Sequence, residues 1–349
     1  MSGEFDFYTV FPAGNSLEAA EIRSFLASCQ LEIDSDIDIF VVARQAQRLV
    51  ACAGLSTNVI KCVAISPDWR GESLSLQLVS EIVQLAAERN QFHLFLYARP
   101  CNVPFFSACG FYPLVEVPDT IVLMENSPVA IQRYCQGLQQ QRQPGAKTGC
   151  IVMNANPFTL GHKALAQQAA QACDWLHVFV VREDASLFRY ADRFNLVAEG
   201  LRGISNLTVH HGSDYMISRA TFPGYFLKDQ GIIDRCHTAI DLLLFRDYIA
   251  PALNITHRFV GTEPFCQVTR KYNEDMKYWL QHAPTASAPV EVVEVPRVLK
   301  AGSPISASAV RQLLEAGNFE RIRTLVPDAT LHFLQQEYTG QLCQLDHYS

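Results

Sequence analysis

The second half of the chain alternates short, continuously apolar runs with stretches of helical periodicity, and this alternation limits the folds that the chain can adopt. The apolar runs are those at 150–153, 176–181, 206–211, 256–261 and 290–295. Strands that are apolar on both sides belong to sheets covered on both faces, and strands that alternate with helices pair in parallel. The pattern therefore predicts an α/β domain built on a parallel sheet.

The first part of the chain has a different pattern. Three β-like runs follow one another with only short polar links between them, at 38–44, 49–56 and 59–66. Such a succession is typical of an antiparallel meander. A polar stretch, GLQQQRQPGAKTG, then separates the two patterns. We therefore predict three segments: an α+β domain with a mostly antiparallel sheet at 1–125, a linker at 126–147, and the α/β domain at 148–349.

Charge and composition argue against several functional classes. The formal net charge of −7 over 349 residues disfavours a broad surface for nucleic acid or for an anionic membrane, and no apolar run is long enough to cross a bilayer. The 11 cysteines form no Cys-x-x-Cys pair, and the first residues do not resemble a secretion signal. We therefore expect a soluble cytoplasmic protein with reduced thiols, no protein-bound metal, and no nucleic-acid or membrane partner.

The first apolar run of the α/β domain leads into MNANPFTLGHKALAQQAAQ, residues 153–171. The turn after the first strand of such a sheet is a favoured place for phosphate, and the free N–H groups of a helix start attract anions. Gly161 allows a ligand to approach the backbone closely, and His162 can donate a hydrogen bond to phosphate oxygens. The alternative is structural: Thr159 caps the helix, Gly161 makes the turn, and His162 is a solvated residue of the first turn.

A second segment of the same kind, KAGSPISASAVRQLLEAGNF, follows the last strand. Ser306 and Ser308 are placed to start a helix, and Arg311 lies about one turn later on the same side as Ser308. Two hydroxyl groups, helical N–H groups and a guanidinium fork make an anion site suited to pyrophosphate, which Lys300 is close enough in sequence to join. The alternative is a capping serine followed by an exposed arginine.

Together, the two segments resemble the nucleotidyltransferase superfamily, whose His-x-Gly-His and Ile-Ser-x-Thr-x-x-Arg motifs bind ATP. Thr159 stands at the first histidine position and Ser308 at the threonine position. More closely, the chain resembles the citrate (pro-3S)-lyase ligase family over 148–327, in the segments NANPFTLGH, FRYADRFNLV, HHGSDYMISRATFPGYFLKD, FVGTEPFCQVTRKYNEDM and PISASAVRQLL. The resemblance implies a Rossmann-like nucleotidyltransferase domain.

This resemblance implies an acid–thiol ligase that uses ATP and acetate. The acetyl group passes, through acetyl-adenylate, to the thiol of the phosphoribosyl-dephospho-CoA group on the acyl carrier subunit of citrate lyase, and AMP and pyrophosphate are released. Mg²⁺ is expected to bridge phosphate oxygens, held mainly by water and substrate. A dinucleotide-forming adenylyltransferase of the pantetheine-phosphate or nicotinamide-mononucleotide type, and a noncatalytic acyl-CoA or nucleotide sensor, are the alternatives.

The resemblance also implies roles for individual residues. The α-phosphate is expected to contact His162 and Thr159, with Lys163 as a helper. The β- and γ-phosphates and the departing pyrophosphate are expected to contact Ser306, Ser308, Arg311 and Lys300. The remaining nucleotide-binding residues are expected to be Asn156, Gly161 and, for the adenosine, Gly261.

The N-terminal domain resembles the GNAT-type N-acetyltransferases in ISPDWRGESLSLQLV and NVPFFSACGFYPL. The acetyltransferase loop normally reads Arg/Gln-x-x-Gly-x-Gly/Ala, whereas here Arg70 is followed by Ser73 and Ser75. A side chain at each of these positions narrows the pyrophosphate cradle. We therefore expect a retained fold that positions the carrier protein or an acyl-pantetheine arm rather than a CoA-dependent acetyltransferase.

Several other polar clusters carry open interpretations. One cluster, which follows the end of a strand, consists of Arg182, Glu183 and Asp184. These residues either line the same crevice as the two phosphate-binding segments or form an ordinary charged loop. Acetate-site candidates are Ser218 and Arg219. The pair Arg270 and Lys271 faces phosphate, carrier protein or solvent, and the pair His210 and His211 is interpreted as structural.

Overall fold

The computed structural model describes the chain at residues 5–13, 17–69, 72–182, 186–216, 222, 230–262, 267–300 and 302–345. The chain forms two compact units. The first comprises residues 1–132 and 221–240, and the second comprises residues 133–220 and 241–349.

The first unit begins with a mixed α and β region. Its elements in chain order are β1 (Asp6–Val10), α1 (Leu17–Ser28), β2 (Ile39–Gln45), β3 (Arg48–Ser56), β4 (Val59–Ile65), α2 (Glu72–Glu88), β5 (Phe95–Ala98), α3 (Val103–Ala108), β6 (Tyr112–Val117) and β7 (Ile121–Glu125). The strands form one sheet in the order β1-β2-β3-β4-β5-β7-β6. The predicted meander is confirmed because β2, β3 and β4 pair antiparallel, and the only parallel pair between these strands is β4 with β5.

Helix α2 covers one face of this sheet. Its apolar residues recur at helical spacing, so that Leu74, Leu78 and Ile82 are buried in the core of the first unit. Helix α4 (Ala130–Gln139) lies within the segment predicted as a linker. Its Leu138 is buried in the core of the second unit.

The second unit contains the predicted parallel sheet. Its elements are β8 (Thr148–Met153), α5 (Leu160–Gln171), β9 (Trp175–Val180), α6 (Tyr190–Leu201), β10 (Leu207–His211), α7 (Gln230–Leu244), α8 (Ala250–Leu253), β11 (His257–Gly261), α9 (Gln267–Lys277), β12 (Glu291–Val295), the hairpin β13 (Leu299–Lys300) and β14 (Ser303–Pro304), α10 (Ala307–Glu315), α11 (Phe319–Ile322) and α12 (Asp328–Leu345). Helix α7 crosses the division between the two units.

The strand order of this sheet, β10-β9-β8-β11-β12, creates an opening at its carboxyl edge. All four pairs of neighbouring strands are parallel, so the predicted fold class is confirmed. The order reverses between β8 and β11, and ligands of open α/β sheets bind where the order reverses. These two strands pair only at His257 with Gly149 and Arg258 with Cys150. Their carboxyl ends therefore carry no ladder between them.

Small residues bring α5 close to the sheet near this opening. The buried face of α5 contains Ala166, Ala169 and Ala170, which pack in a core with residues of β8 and β9. A helix with alanine on its buried face can approach a sheet closely, and its start is thereby fixed above the carboxyl end of β8.

Within the described residues, none of the helices has both the length and the apolar character needed to span a membrane.

Candidate active site

The start of α5 is defined by a reciprocal cap between Thr159 and His162. Thr159 is the N-cap residue, and its hydroxyl group accepts a hydrogen bond from the His162 N–H at 3.3 Å. In return, the Thr159 N–H donates to Nδ1 of His162 at 3.0 Å. This is the geometry of a capping box, with an imidazole in the place usually taken by a glutamate or glutamine side chain. The helix cap that was the structural alternative for Thr159 is therefore present. The residue is also fully buried, with 0% of its surface exposed.

The cap fixes the protonation state of His162. A backbone N–H can only donate, so Nδ1 of His162 must accept, and the ring proton of the neutral imidazole is on Nε2. Burial, followed by the positive charge of Arg297, lowers the pKa of His162 to about 4. At neutral pH the ring is therefore uncharged and offers one N–H donor.

The start of α10 is also capped by a hydroxyl side chain, although without the reciprocal bond found in α5. Ser306 is the N-cap residue, and its hydroxyl group accepts from the Ala309 N–H at 3.1 Å. The first N–H groups of any helix have no partner inside the helix, and the helix dipole gives them partial positive charge. Ser308 and Arg311 lie on one side of α10, where Nη2 of Arg311 donates to Oγ of Ser308 at 3.2 Å.

The two helix starts meet, although they are far apart in sequence. Nη1 of Arg311 donates to the main-chain carbonyl oxygen of Asn156 at 2.6 Å. A Cβ atom at Gly161 would lie 2.9 Å from the carbonyl oxygen of Ile305, so only glycine permits this approach without displacement of the backbone. The first turn of α5 therefore packs directly against the segment that precedes α10.

A cavity of about 500 Å³ lies where the helix starts meet. It is lined by Thr159, Gly161, His162, Leu165, Gly261, Val295, Pro296, Arg297, Val298, Pro304, Ile305, Ser306, Ala307 and Ser308. The set joins the starts of α5 and α10 to the carboxyl ends of β11 and β12. One side of the lining is polar and electropositive, and Leu165, Val295 and Ile305 form an apolar part.

Arg297 is the charged residue of the described lining that the sequence patterns did not single out as a site residue. It lies two residues after β12, beyond Pro296, and its half-buried side chain lines the cavity. Its Cγ and Nε atoms lie 3.7 Å from the position that a Cβ of Gly261 would occupy. The available signal was its position two residues after a predicted strand, because a cation there lies near the edge of a parallel sheet where ligands bind.

Four predicted site residues are outside the lining of the cavity as the structure describes it: Asn156, Lys163, Lys300 and Arg311. Asn156 supports the loop, since its carbonyl accepts from Arg311 and its Oδ1 accepts from the Phe188 N–H at 3.2 Å. Lys163 is half-buried on α5, and Lys300 is exposed on the hairpin. Arg311 is half-buried beside the cavity.

The other polar clusters have diverse environments. Arg182 lies 3.9 Å from Asp214, measured between Nη1 and Oδ1, at the carboxyl edge of the sheet. Arg270 and Lys271 are exposed on α9. The interpretation of His210 as structural agrees with its burial and with its 2.8 Å hydrogen bond to His177. Glu183, Asp184, Ser218, Arg219 and Arg70 lie outside the described residues.

A second cavity, of about 390 Å³, lies in the first unit. Its walls include Val63, Ala64 and Ile65 of β4 and Tyr97 of β5. Ser75 is buried and lines this cavity, whereas Ser73 is exposed. The cavity therefore lies at the splayed pair β4 and β5, which are joined only at Val59 with Phe95 and Ile60 with Leu96.

No group of three or more His, Cys, Asp or Glu side chains suited to a metal ion occurs among the residues that the structure describes. The lining of the first cavity contains no carboxylate.

Two protein-family models match the chain. The model described as the citrate lyase ligase C-terminal domain matches residues 148–334, and the model of the acetyltransferase (GNAT) family matches residues 7–111. The two matches correspond to the parallel sheet and to the mostly antiparallel sheet, respectively.

Two citrate (pro-3S)-lyase ligases are similar to this chain over nearly their whole length, and a phosphopantetheine adenylyltransferase is similar over a short segment. The citrate (pro-3S)-lyase ligase of Klebsiella pneumoniae is 54% identical over 315 residues, which cover 90% of this chain and 92% of the relative. The ligase of Escherichia coli K12 is 51% identical over 330 residues, which cover 95% of this chain and 94% of the relative. The phosphopantetheine adenylyltransferase of Dehalococcoides mccartyi is 33% identical over only 79 residues, which cover 22% of this chain and 50% of the relative.

Proposed function

Because the chain belongs to the citrate lyase ligase family, we propose that it activates citrate lyase by ATP-dependent acetylation of a thiol. The acceptor is the thiol of the phosphoribosyl-dephospho-CoA group on the acyl carrier subunit of the lyase. The acyl donor is acetate, and the products are the acetylated carrier, AMP and pyrophosphate.

One observation carries the assignment of the active site. The starts of α5 and α10 share a single cavity of about 500 Å³, in which the neutral ring of His162 and the cation of Arg297 both form part of the lining. Two helix starts and an arginine concentrate positive potential in one place, as a triphosphate requires. The apolar part of the lining suits a nucleoside base.

In the first step, a carboxylate oxygen of acetate attacks the α-phosphorus of ATP in line with the bond to the β-phosphate. The new P–O bond gives acetyl-adenylate, and the broken P–O bond releases pyrophosphate with its electron pair. The protein must align the reactants and stabilise charge that develops on phosphate oxygens. We assign the Nε2–H of His162 to the α-phosphate, with Thr159 holding the ring in place.

The departing pyrophosphate is assigned to the start of α10. The N–H groups of Ala307 and Ser308 belong to its first turn, and the hydroxyl of Ser306 already caps Ala309. Arg297 supplies a full positive charge on the opposite wall of the lining, next to Gly261. Arg311 fixes the start of α10 against Asn156 and is within reach of Ser308, so we assign it to positioning of this wall.

In the second step, the thiolate of the carrier attacks the acetyl carbon of acetyl-adenylate. A C–S bond forms, the C–O bond to AMP breaks, and AMP leaves with the electron pair. The thiol proton passes to solvent or to a phosphate oxygen. The walls that hold the α-phosphate of the adenylate also stabilise AMP as it leaves.

Mg²⁺ enters this scheme as part of the substrate, MgATP. The described residues that line the cavity include no carboxylate, and in this proposal the ion is held by phosphate oxygens and water. It supplies charge neutralisation on the triphosphate when bound.

Exchange of labelled pyrophosphate into ATP tests the proposal. Exchange that depends on acetate supports the ligase, and mixing the protein with ATP, acetate and deacetylated citrate lyase should then restore lyase activity. Exchange that requires 4′-phosphopantetheine or nicotinamide mononucleotide, and not acetate, would identify a dinucleotide-forming adenylyltransferase instead. An absence of exchange with every acceptor would favour a noncatalytic sensor.

A further inference from the structure

Gly261, at the end of β11, has a main-chain carbonyl that no strand can satisfy. The Thr262 N–H donates to the carbonyl of Val295 on β12 at 2.9 Å. In a trans peptide the C=O of one residue points away from the N–H of the next. The carbonyl of Gly261 therefore points away from β12, toward the side where β8 and β11 have already separated.

The side chain of Asn273 takes the place of the missing strand. Asn273 is on α9 and is only 3% exposed, and its Nδ2 donates to the carbonyl of Gly261 at 3.2 Å. Gly261 lines the first cavity and faces the side chain of Arg297. One amide from α9 thus fixes the wall of the cavity on which Arg297 lies.

The oxygen atom of the same amide takes no part in this contact. Oδ1 of Asn273 is buried and has no hydrogen-bond partner among the residues that the structure describes. A buried acceptor without a donor is unfavourable, so an apolar side chain of similar size would serve the packing of α9 at least as well. The presence of asparagine is therefore better explained by the position of Gly261 than by stability.

We propose that Asn273 is a positioning residue of the nucleotide site, which sets the end of β11 at the separation from α5 and α10 that a nucleoside triphosphate requires. This inference rests on the proposed function and deepens it, since it assigns a role to a residue that does not touch the cavity. Without the bond from Nδ2, the carbonyl of Gly261 turns to water, and the wall that carries Arg297 shifts.

The test uses the full chain and two substitutions of nearly equal volume, Asn273→Leu and Asn273→Asp. Both remove the donor, and Asn273→Leu also removes the unsatisfied oxygen. We expect the dissociation constant of MgATP, measured by calorimetry, and the KM for ATP to rise about tenfold, which is the scale of one lost hydrogen bond. The kcat is expected to stay within about twofold, and the urea midpoint of Asn273→Leu is expected to match that of the parent.

Gln281→Met is the matched control. Gln281 also bonds a strand of this sheet, because its Oε1 accepts from the Val292 N–H at 3.2 Å, but Val292 lies toward the amino end of β12. Its substitution should leave MgATP binding unchanged. Parent-like MgATP binding by both Asn273 variants, or an equal loss in Gln281→Met, would overturn the positioning role and leave the ligase intact. A parent protein that binds no MgATP would overturn the proposed function itself.

Discussion

Arg311 donates a 2.6 Å hydrogen bond to the carbonyl oxygen of Asn156, across 155 positions of sequence. The same guanidinium donates to Oγ of Ser308 at 3.2 Å, so one side chain joins the loop before α5 to the first turn of α10. Neither helix start makes the cavity alone. The electropositive walls that suit a triphosphate depend on this link between two remote segments.

Arg311→Lys should therefore weaken nucleotide binding although it keeps the charge. A lysine ammonium is a point charge and cannot hold two acceptors in the fixed geometry of a guanidinium fork. We expect the KM for ATP to rise about tenfold or more in the pyrophosphate exchange assay, and the free energy of unfolding to fall by about 1 kcal/mol. Arg323→Lys, at an exposed position beyond α11, is the control and should behave as the parent. Equal KM values for the parent and Arg311→Lys would contradict the linking role.

His162→Ala should abolish formation of acetyl-adenylate while the fold persists. Loss of one donor that stabilises charge in the transition state typically costs about 100-fold or more in rate. Acetate-dependent pyrophosphate exchange measures the loss, and circular dichroism checks the fold. Exchange at the rate of the parent would remove His162 from the mechanism.

Thr159→Val tests whether the hydroxyl group that caps α5 also holds the ring of His162 in place. Valine keeps the shape of threonine but cannot accept from the His162 N–H, so the free energy of unfolding should fall by about 1 kcal/mol. Valine also removes the hydroxyl group that lies 2.9 Å from Nδ1 of His162, so exchange should slow as the ring loses one support. Thr159→Ser keeps the hydroxyl group and should retain most of the activity. If the valine and serine variants were equally active, the hydroxyl of Thr159 would have no part in holding His162.

The sequence predicted the frame of the site better than its lining. Apolar runs and capping residues are local signals, so the strands of the parallel sheet and the starts of α5 and α10 were predictable. Whether a residue lines the cavity depends on the direction in which its side chain points. Lys163 directly follows His162, but successive side chains of a helix point about 100° apart, and Lys163 is not part of the lining as described. Arg297 was missed for a different reason. Its position shortly after a strand was a weak signal by itself, and only the strand order, which places β12 next to β11, brings it beside Gly261.

Gly161→Ala tests how closely the two segments must pack. The added Cβ would lie 2.9 Å from the carbonyl oxygen of Ile305, and a backbone atom cannot swing aside as a side chain can. We expect a loss of about 1–3 kcal/mol in the free energy of unfolding, together with weaker MgATP binding. Gly137→Ala, in α4, is the control because nothing lies within 4 Å of its Cβ position, and alanine there should stabilise the protein slightly. Unchanged stability and binding in Gly161→Ala would show that the approach is not tight.

The pH dependence of pyrophosphate exchange should show the effect of Arg297 on the pKa of His162. Its pKa is lowered to about 4, by burial first and by the charge of Arg297 second, so the imidazole is neutral throughout pH 5–8. The parent should therefore show no loss of kcat/KM for ATP near pH 6.5 from this group. Arg297→Gln removes the positive charge, raises the pKa of His162 and should move the acidic loss of activity to higher pH. The idea fails if Arg297→Gln reduces kcat/KM by the same factor at every pH from 8 down to about 4, a range that includes the pKa of the ring in the parent.

The buried pair His177 and His210 should make the folded protein sensitive to acid. Nδ1 of His177 and Nε2 of His210 share a 2.8 Å hydrogen bond, and the residues are only 0% and 4% exposed. Burial lowers the pKa of His177 to about 4, and burial together with the charges of His177 and His211 lowers that of His210 to about 3. In the unfolded chain both groups titrate near pH ~6.5.

As the pH falls from about 6.5 toward 4, the two histidines therefore bind protons in the unfolded chain but stay neutral in the folded protein. The free energy of unfolding falls over that pH range. The stability that the neutral pair retains is fully present above pH ~6.5, and for His177 alone the loss is on the order of 3 kcal/mol. Urea unfolding at pH 7.5 and at pH 4.5 measures it, and the double substitution His177→Leu and His210→Leu should reduce the difference, with the part that is due to His162 remaining. The exposed His282→Gln variant should keep the full pH dependence of the parent. An unchanged pH dependence in the double variant would mean that the pair is protonated in the folded protein as readily as in the unfolded chain.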